Sequence, residues 1–345
     1  MMIRPLLSAL LLSTATPLLA DVPKVAPDIA PVHGLVARVM DGVGSPTLII
    51  DPSASPHHYA MRPSEARALQ EADIVIWVGE ELTPWFGDRI ETLAPDARSV
   101  GLIHAEGTVL LDVREEMIFA TAEDHDDHDH EEHDEHDEHD EHDHGHDEDK
   151  SHSDDHGHED DHADAHDDHG HSHEGTDPHA WLMVENARVW TRHIAEALAE
   201  ADPDNAATYA SNADAAIAEL AALEAEMKSA LTIENAPGFI VFHDAYQYFE
   251  EGVGLRAVAA LSGSDAADPG PAHIRAMQAL IETENVRCAF AEPQFDTRRL
   301  DTVLSGSGAQ TGVLDPLGGA IAPGPDFYPQ LMRDLSAAMA ACLKS

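Results

Sequence analysis

Four residues stand where this chain could build a site: His57 in "SPHHY", His179 in "TDPHAWL", His243 in "GFIVFHDAY" and Asp315 in "GVLDPLG". Imidazole nitrogens and carboxylate oxygens are the ligands that borderline divalent metals accept, and Zn²⁺ takes both. The histidines are 122 and 64 residues apart, which matches no zinc-finger spacing, so a shared site has to be assembled by tertiary structure. Taken singly, a His at a strand end is more often a hydrogen-bonded structural residue. A second kind of histidine chemistry lies between His57 and His179. The stretch "HDDHDHEEHDEHDEHDEHDHGH", His125 to His146, contains only His, Asp, Glu and one Gly. From Glu123 to Glu174 there are 26 acidic residues, one Lys and 17 of the 25 His, a net charge of −25. Such a tract has a metal-binding composition. Wrapping each ion costs ordering entropy, so it should bind several ions weakly and none selectively. Selectivity has to come from elsewhere.

The elements around these residues read as an α/β protein. Short apolar runs that look like strands, "GLVARVM", "SPTLIID", "DIVIWVG" and "ARSVGLI", alternate with a helical pattern in "RPSEARALQEA". That alternation predicts a mostly parallel sheet flanked by helices. The stretch Asp204 to Glu234 is rich in Ala, Glu and Leu with no interior Pro or Gly, which predicts one long helix. Strand-like runs return in "GFIVFHDAY", "LRAVAAL", "RCAFAEPQF" and "TGVLDPLGG". The simplest architecture is two α/β lobes joined by a long helix. In open α/β sheets ligands bind beyond the carboxyl ends of the strands, where His57, His243 and Asp315 are expected to stand. His179 falls where order resumes after the tract, and His193 lies inside a helical pattern, so it is read as structural or exposed.

Residues 1–20 have a basic residue, a short apolar run and a small residue, Ala20, before Asp21, which reads as a cleaved secretory signal peptide. The expected layout is a first lobe at 21–185 interrupted by a disordered insertion at 123–174, a helical segment at 186–234, and a second lobe at 235–345. The chain has 19 Lys and Arg against 66 Asp and Glu, and its net charge outside the tract is still −22. That acidity argues against nucleic acid and anionic lipid as partners and suits cations. The two cysteines, Cys288 and Cys342, could close a disulfide in an exported chain or remain buried free thiols.

Several motifs together resemble a known family, the zinc-binding solute-binding proteins of bacterial ABC importers, in the cluster that handles zinc and manganese. They are "SPHHYAMRPSEARALQEADIVIWVGEELTPWF", "DPHAWL", "FHDAYQYFE", "FAEPQF", "LDPLG" and "AACLKS", in family order over nearly the whole mature chain. The resemblance implies two α/β lobes bridged by a long rigid helix, with one tight zinc site between them. It implies His57, His179 and His243 as ligands, with Asp315 or water as the fourth, and no ligand role for His58. His243 stands where manganese-handling relatives tend to have Glu, which favours zinc. The residue before the first ligand, Glu in some zinc members, is Pro56 here. Cys288 and Cys342 fall on the family's disulfide positions. The implied protein is a periplasmic monomer that takes zinc to a membrane permease and performs no covalent chemistry.

Two other functions fit parts of the sequence. Zn²⁺ on three His with an open position can activate water, and Glu292 of "FAEPQF" is the one residue that could serve such a hydrolase as general base. A passive metal buffer would make the tract the whole function.

Overall fold

The computed structural model describes residues 22–119, 175–263 and 270–345. The expected signal peptide and the acidic, His-rich tract lie outside the described residues. The first lobe is built on a parallel sheet in the order β1-β2-β3, with β1 at Val25–Pro27, β2 at Ile74–Trp77 and β3 at Arg98–Gly101. Three helices pack with it: α1 (Ala30–Val39), α2 (Pro63–Gln70) and α3 (Pro84–Leu93). Every residue of β2, "IVIW", is buried, as expected for a central parallel strand covered on both faces.

The expected strand "GLVARVM" is instead part of α1, which spans Ala30–Val39. Pro31 opens the helix in its first turn, where a missing N–H costs nothing, and all of its residues except Arg38 are buried. A helix buried nearly all round carries no polar stripe, so its 3.6-residue period is invisible in the sequence. The strand that precedes it, β1, is short, begins two residues after Pro23 and ends at Pro27. The run "SPTLIID" does lie extended along β1, with Thr47 N–H donating to Val25 O at 2.8 Å and Ile49 N–H to Pro27 O at 3.0 Å. A parallel ladder would need the amides of Pro27 and Ile29 in return. Pro27 has none, and Ile29 N–H donates to Asp28 Oδ1 at 2.7 Å, so the ladder is one-sided.

Two long helices follow, α4 (Val184–Ala201) and α5 (Ala206–Leu231), packed along one another. At a rise of about 1.5 Å per residue the 26 residues of α5 run about 39 Å. Its buried residues, Tyr209, Ala213, Ala216, Leu220, Leu223, Met227 and Leu231, recur every three or four positions and form one stripe. The second lobe has a parallel sheet in the order β5-β4-β6-β7, from β4 (Gly238–His243), β5 (Ala259–Ser262), β6 (Val286–Ala291) and β7 (Gln310–Val313). Its helices are α6 (Gln247–Val253), α7 (Pro271–Thr283), α8 (Arg298–Leu304) and α9 (Phe327–Leu343).

The two halves of the chain are interleaved. Helix α9, the last element, returns to pack on α1 and α5. It approaches α1 so closely at Gly34 that a Cβ there would lie 2.9 Å from Phe327 Cβ. A disulfide joins Cys288 of β6 to Cys342 of α9, with Cα atoms 6.0 Å apart. In the other direction, the segment after β3 crosses to the second sheet, where Met117–Phe119 runs antiparallel along β5. Phe119 N–H donates to Val258 O at 2.8 Å, and Ala260 N–H to Met117 O at 2.9 Å.

Candidate metal centre

Three separate segments bring His57, His179 and His243 together, with one ring nitrogen of each within 4.8 Å of the others. The His57 and His179 ring centroids are 5.4 Å apart, and those of His179 and His243 are 5.2 Å apart. His243 is the last residue of β4, at the carboxyl end of a central strand. His57 is held in the loop beyond the extended run beside β1. Asp51 ties the start of that loop by accepting from Ser53 N–H and from Arg62, and Trp85 Nε1–H at the start of α3 donates to Pro56 O at 2.9 Å. His179 begins the short 3₁₀ turn Ala180–Leu182 that leads into α4.

A carboxylate stands behind each of the two buried imidazoles. His179 Nδ1 is 2.8 Å from Asp177 Oδ1, which also accepts from His179 N–H at 2.9 Å. His243 Nδ1 is 2.6 Å from Glu292 Oε1, at the carboxyl end of β6. Carboxylate acceptors at Nδ1 fix the tautomer and turn Nε2 towards the cavity. Burial pushes the Asp177 carboxyl up to about 7, against the His179 amide and the Arg114 charge, which favour its ionised form.

The surroundings are apolar. Trp181 lies 5.3 Å from the His179 ring, its Nε1–H donating to Pro316 O at 3.0 Å, and Tyr328 O–H donates to Trp181 O at 2.7 Å. Phe295 meets the His243 ring edge-on at 5.4 Å and stacks on Phe242 at 4.9 Å. The histidines open onto a cavity of about 20 Å³, also walled by Pro56, Trp181 and Leu317. A single water needs about 10–15 Å³ on this scale, so the space suits one ion or one water and excludes an organic solute.

A buried cluster of charge lies beneath. Arg114, in the segment that crosses between the lobes, donates to Asp244 at 2.6 and 3.0 Å and to Glu250 at 3.0 Å. Its guanidinium carbon sits 3.9 Å over the centre of the Phe119 ring. Burial raises the Asp244 and Glu250 carboxyls, while Arg114 favours their ionised forms. Asp244 directly follows His243, so this cluster fixes the end of β4. The crossing segment is also tied to the approach of His179: Val113 N–H donates to Gly175 O and Asp177 N–H to Leu111 O. Tyr248 O–H donates to Asp177 O at 3.0 Å.

Among the described residues the cluster comprises His57, His179 and His243, and Asp315 is not drawn into it. Asp315 Oδ1 accepts from Gln294 Nε2–H at 2.9 Å, Leu317 N–H at 3.1 Å and Gly318 N–H at 3.0 Å, and Oδ2 accepts from Gly319 N–H at 2.7 Å. His58 is exposed, and His193, on α4, lies 3.1 Å from Glu106 O. The sequence names Glu292 only as a candidate base and gives no role to Asp177 or Arg114. Asp177 had a local signal, a carboxylate two residues before a His where an element begins. Arg114 had none, because its partners are 130 and 136 residues away.

Two parallel-sheet lobes, a long helix and a cluster of three histidines drawn from separate segments are the features of a solute-binding protein. A crystal structure described as that of ZnuA matches 93% of this chain and 99% of its own with a TM-score of 0.69 at 19% identity. The solute-binding protein FpvC from Pseudomonas aeruginosa in complex with Mn²⁺ matches 94% and 99% with a TM-score of 0.69 at 16% identity. At those identities the likeness concerns the fold. A family model described as the periplasmic zinc-uptake complex component A matches residues 25–342, and the chain belongs to that family. The high-affinity zinc uptake system protein ZnuA of Paracoccus denitrificans (strain Pd 1222) is 44% identical over 346 residues, 99% of each chain. Its namesake in Brucella abortus (strain 2308) is 42% identical over 315 residues, covering 91% of this chain and 90% of its own.

Proposed function

We propose that this chain is the zinc receptor of a high-affinity ABC-type importer, exported to the periplasm, where it captures Zn²⁺ and delivers it to a membrane permease. The observation that carries the reading is the convergence of His57, His179 and His243 from three separate segments to within 4.8 Å of one another. Three neutral imidazoles are a donor set that Zn²⁺ accepts, and the small cavity leaves room for a water as fourth ligand. Asp315 serves the loop that walls the cavity. Family membership and relatives named for high-affinity zinc uptake support zinc as the cargo.

The reading entails binding and release with no covalent step. Glu292 faces His243 Nδ1, which gives it a use other than that of a general base. The tract at 123–174 acts as a weak collector whose 26 carboxylates draw cations towards the tight site. The test is chelator competition at substoichiometric zinc. Replacing His57, His179 or His243 by Ala should weaken tight binding at least tenfold, about 1.4 kcal/mol, and His58→Ala should change it much less. Unchanged affinity in all three variants would reject the site.

A further inference from the structure

Asp177 and Glu292 are the deepest charges at the cluster, 2% and 1% exposed, each hydrogen-bonded to Nδ1 of one imidazole, and Glu292 also walls the cavity. Asp177 arrives with the 3₁₀ turn at the start of α4, and Glu292 with the carboxyl end of β6 in the other sheet. The same device is therefore built twice from unrelated segments. A neutral glutamine or asparagine would hold a ring through Nδ1–H equally well, since only an oxygen acceptor is needed. What the carboxylates add, when ionised, is negative charge at a depth where water screens it little. The nearby carboxylates of Asp244 and Glu250 pair directly with Arg114, whose charge also reaches Asp177.

We propose that Asp177 and Glu292 set the valence preference of the site, tightening a divalent cation far more than a monovalent one on the same three imidazoles. The inference rests on the assignment of His57, His179 and His243 as ligands. Coulomb energy scales with the charge of the ion, so the logarithm of the affinity gained from each carboxylate is twice as large for Zn²⁺ as for a monovalent ion such as Ag⁺. Three histidines alone form a neutral nitrogen site that both ions accept; the buried charge separates them.

The test compares Asp177→Asn, Glu292→Gln and the double variant with the parent, all full length so that each carries the same tract. Zn²⁺ and Ag⁺ affinities are measured by competition at substoichiometric metal, and the melting temperature is measured on metal-free protein. Each single variant should lose about tenfold in Zn²⁺ affinity, in the range of other carboxylates hydrogen-bonded to ligand histidines, and about threefold in Ag⁺ affinity. Melting of the metal-free protein should be unchanged or raised, because a buried charge is removed while an oxygen acceptor is kept. A fall of equal factor for both ions, or a fall in metal-free stability parallel to the loss of affinity, would show a packing role and overturn the proposal. His243→Ala serves as the control. If it loses Zn²⁺ while the carboxylate variants keep the parent's ratio, the proposal alone fails. If it keeps tight Zn²⁺, the ligand assignment and the proposal fall together.

Discussion

The Gly319 amide donates to Asp315 Oδ2 at 2.7 Å, closing a loop in which the other carboxylate oxygen already accepts from Leu317 and Gly318. That loop carries Pro316 and Leu317, which wall the cavity and receive the Trp181 indole. Asp315→Ala should therefore cost stability, about 1–3 kcal/mol for the lost acceptor of several half-buried donors. Zinc affinity should fall less than tenfold. A larger loss, comparable with that of His243→Ala, would make Asp315 a ligand.

Reducing the Cys288–Cys342 bond should destabilise the protein without dismantling the site. Closing a loop of 54 residues stabilises by roughly 4 kcal/mol through the entropy of the unfolded chain. Melting curves with and without reductant measure that loss. Zinc competition under the same conditions should change little, since the bond ties β6 to α9 away from the imidazoles.

Deleting residues 123–174 should leave one tight zinc site and remove the weaker ones. Calorimetric stoichiometry reads the count, and stopped-flow uptake reads the rate. The intact protein should capture scarce zinc faster at low salt, an advantage that salt screens. Loss of the tight site on deletion, or an unchanged stoichiometry, would contradict the collector role.

Asp28 gives a pH dependence of known sign. Its buried carboxyl accepts from Ile29 N–H and from Val78 N–H at 2.9 Å, yet burial raises it from 3.8 to about 7. Below pH 4 it is protonated in both folded and unfolded chains. As pH rises from 4 to 7 the unfolded chain ionises first, so this group withdraws stability across that window and adds no further change above it. Stability of Asp28→Asn relative to the parent should therefore rise with pH by about 4 kcal/mol between pH 4 and 7, measured on metal-free protein by denaturant titration. A relative stability that is flat with pH would refute the assignment.

Each histidine was legible singly, His57 after a strand-like run, His179 where order resumes and His243 at the end of an apolar run, while their grouping came from the family resemblance of the surrounding motifs. "GFIVFH" reads as a buried strand ending in a polar residue, and β4 ends at His243. The long helix was legible as a 26-residue run without Pro or Gly. Reading "GLVARVM" as a strand failed because burial on all sides of α1 hides the helical period, and "SPTLIID" lost its ladder to a proline and a side-chain acceptor on the partner strand. Helix α3 was missed although Phe86, Ile90 and Leu93 keep helical spacing, the run being only 10 residues with its start marked by Pro84. The Arg114 cluster depends on contacts between remote parts of the chain, which no local pattern encodes.

The antiparallel pairing of Met117–Phe119 with β5 also constrains how the molecule is made. The first partner is synthesised about 140 residues before Val258 and Ala260, with the whole acidic tract and both long helices in between. Until those later residues emerge, the backbone groups of Met117 and Phe119 have no ladder to join. The lobes are thus products of one folding event: severing the chain between α5 and β4 should give two fragments that recover zinc binding only when mixed, and then slowly, as high contact order requires.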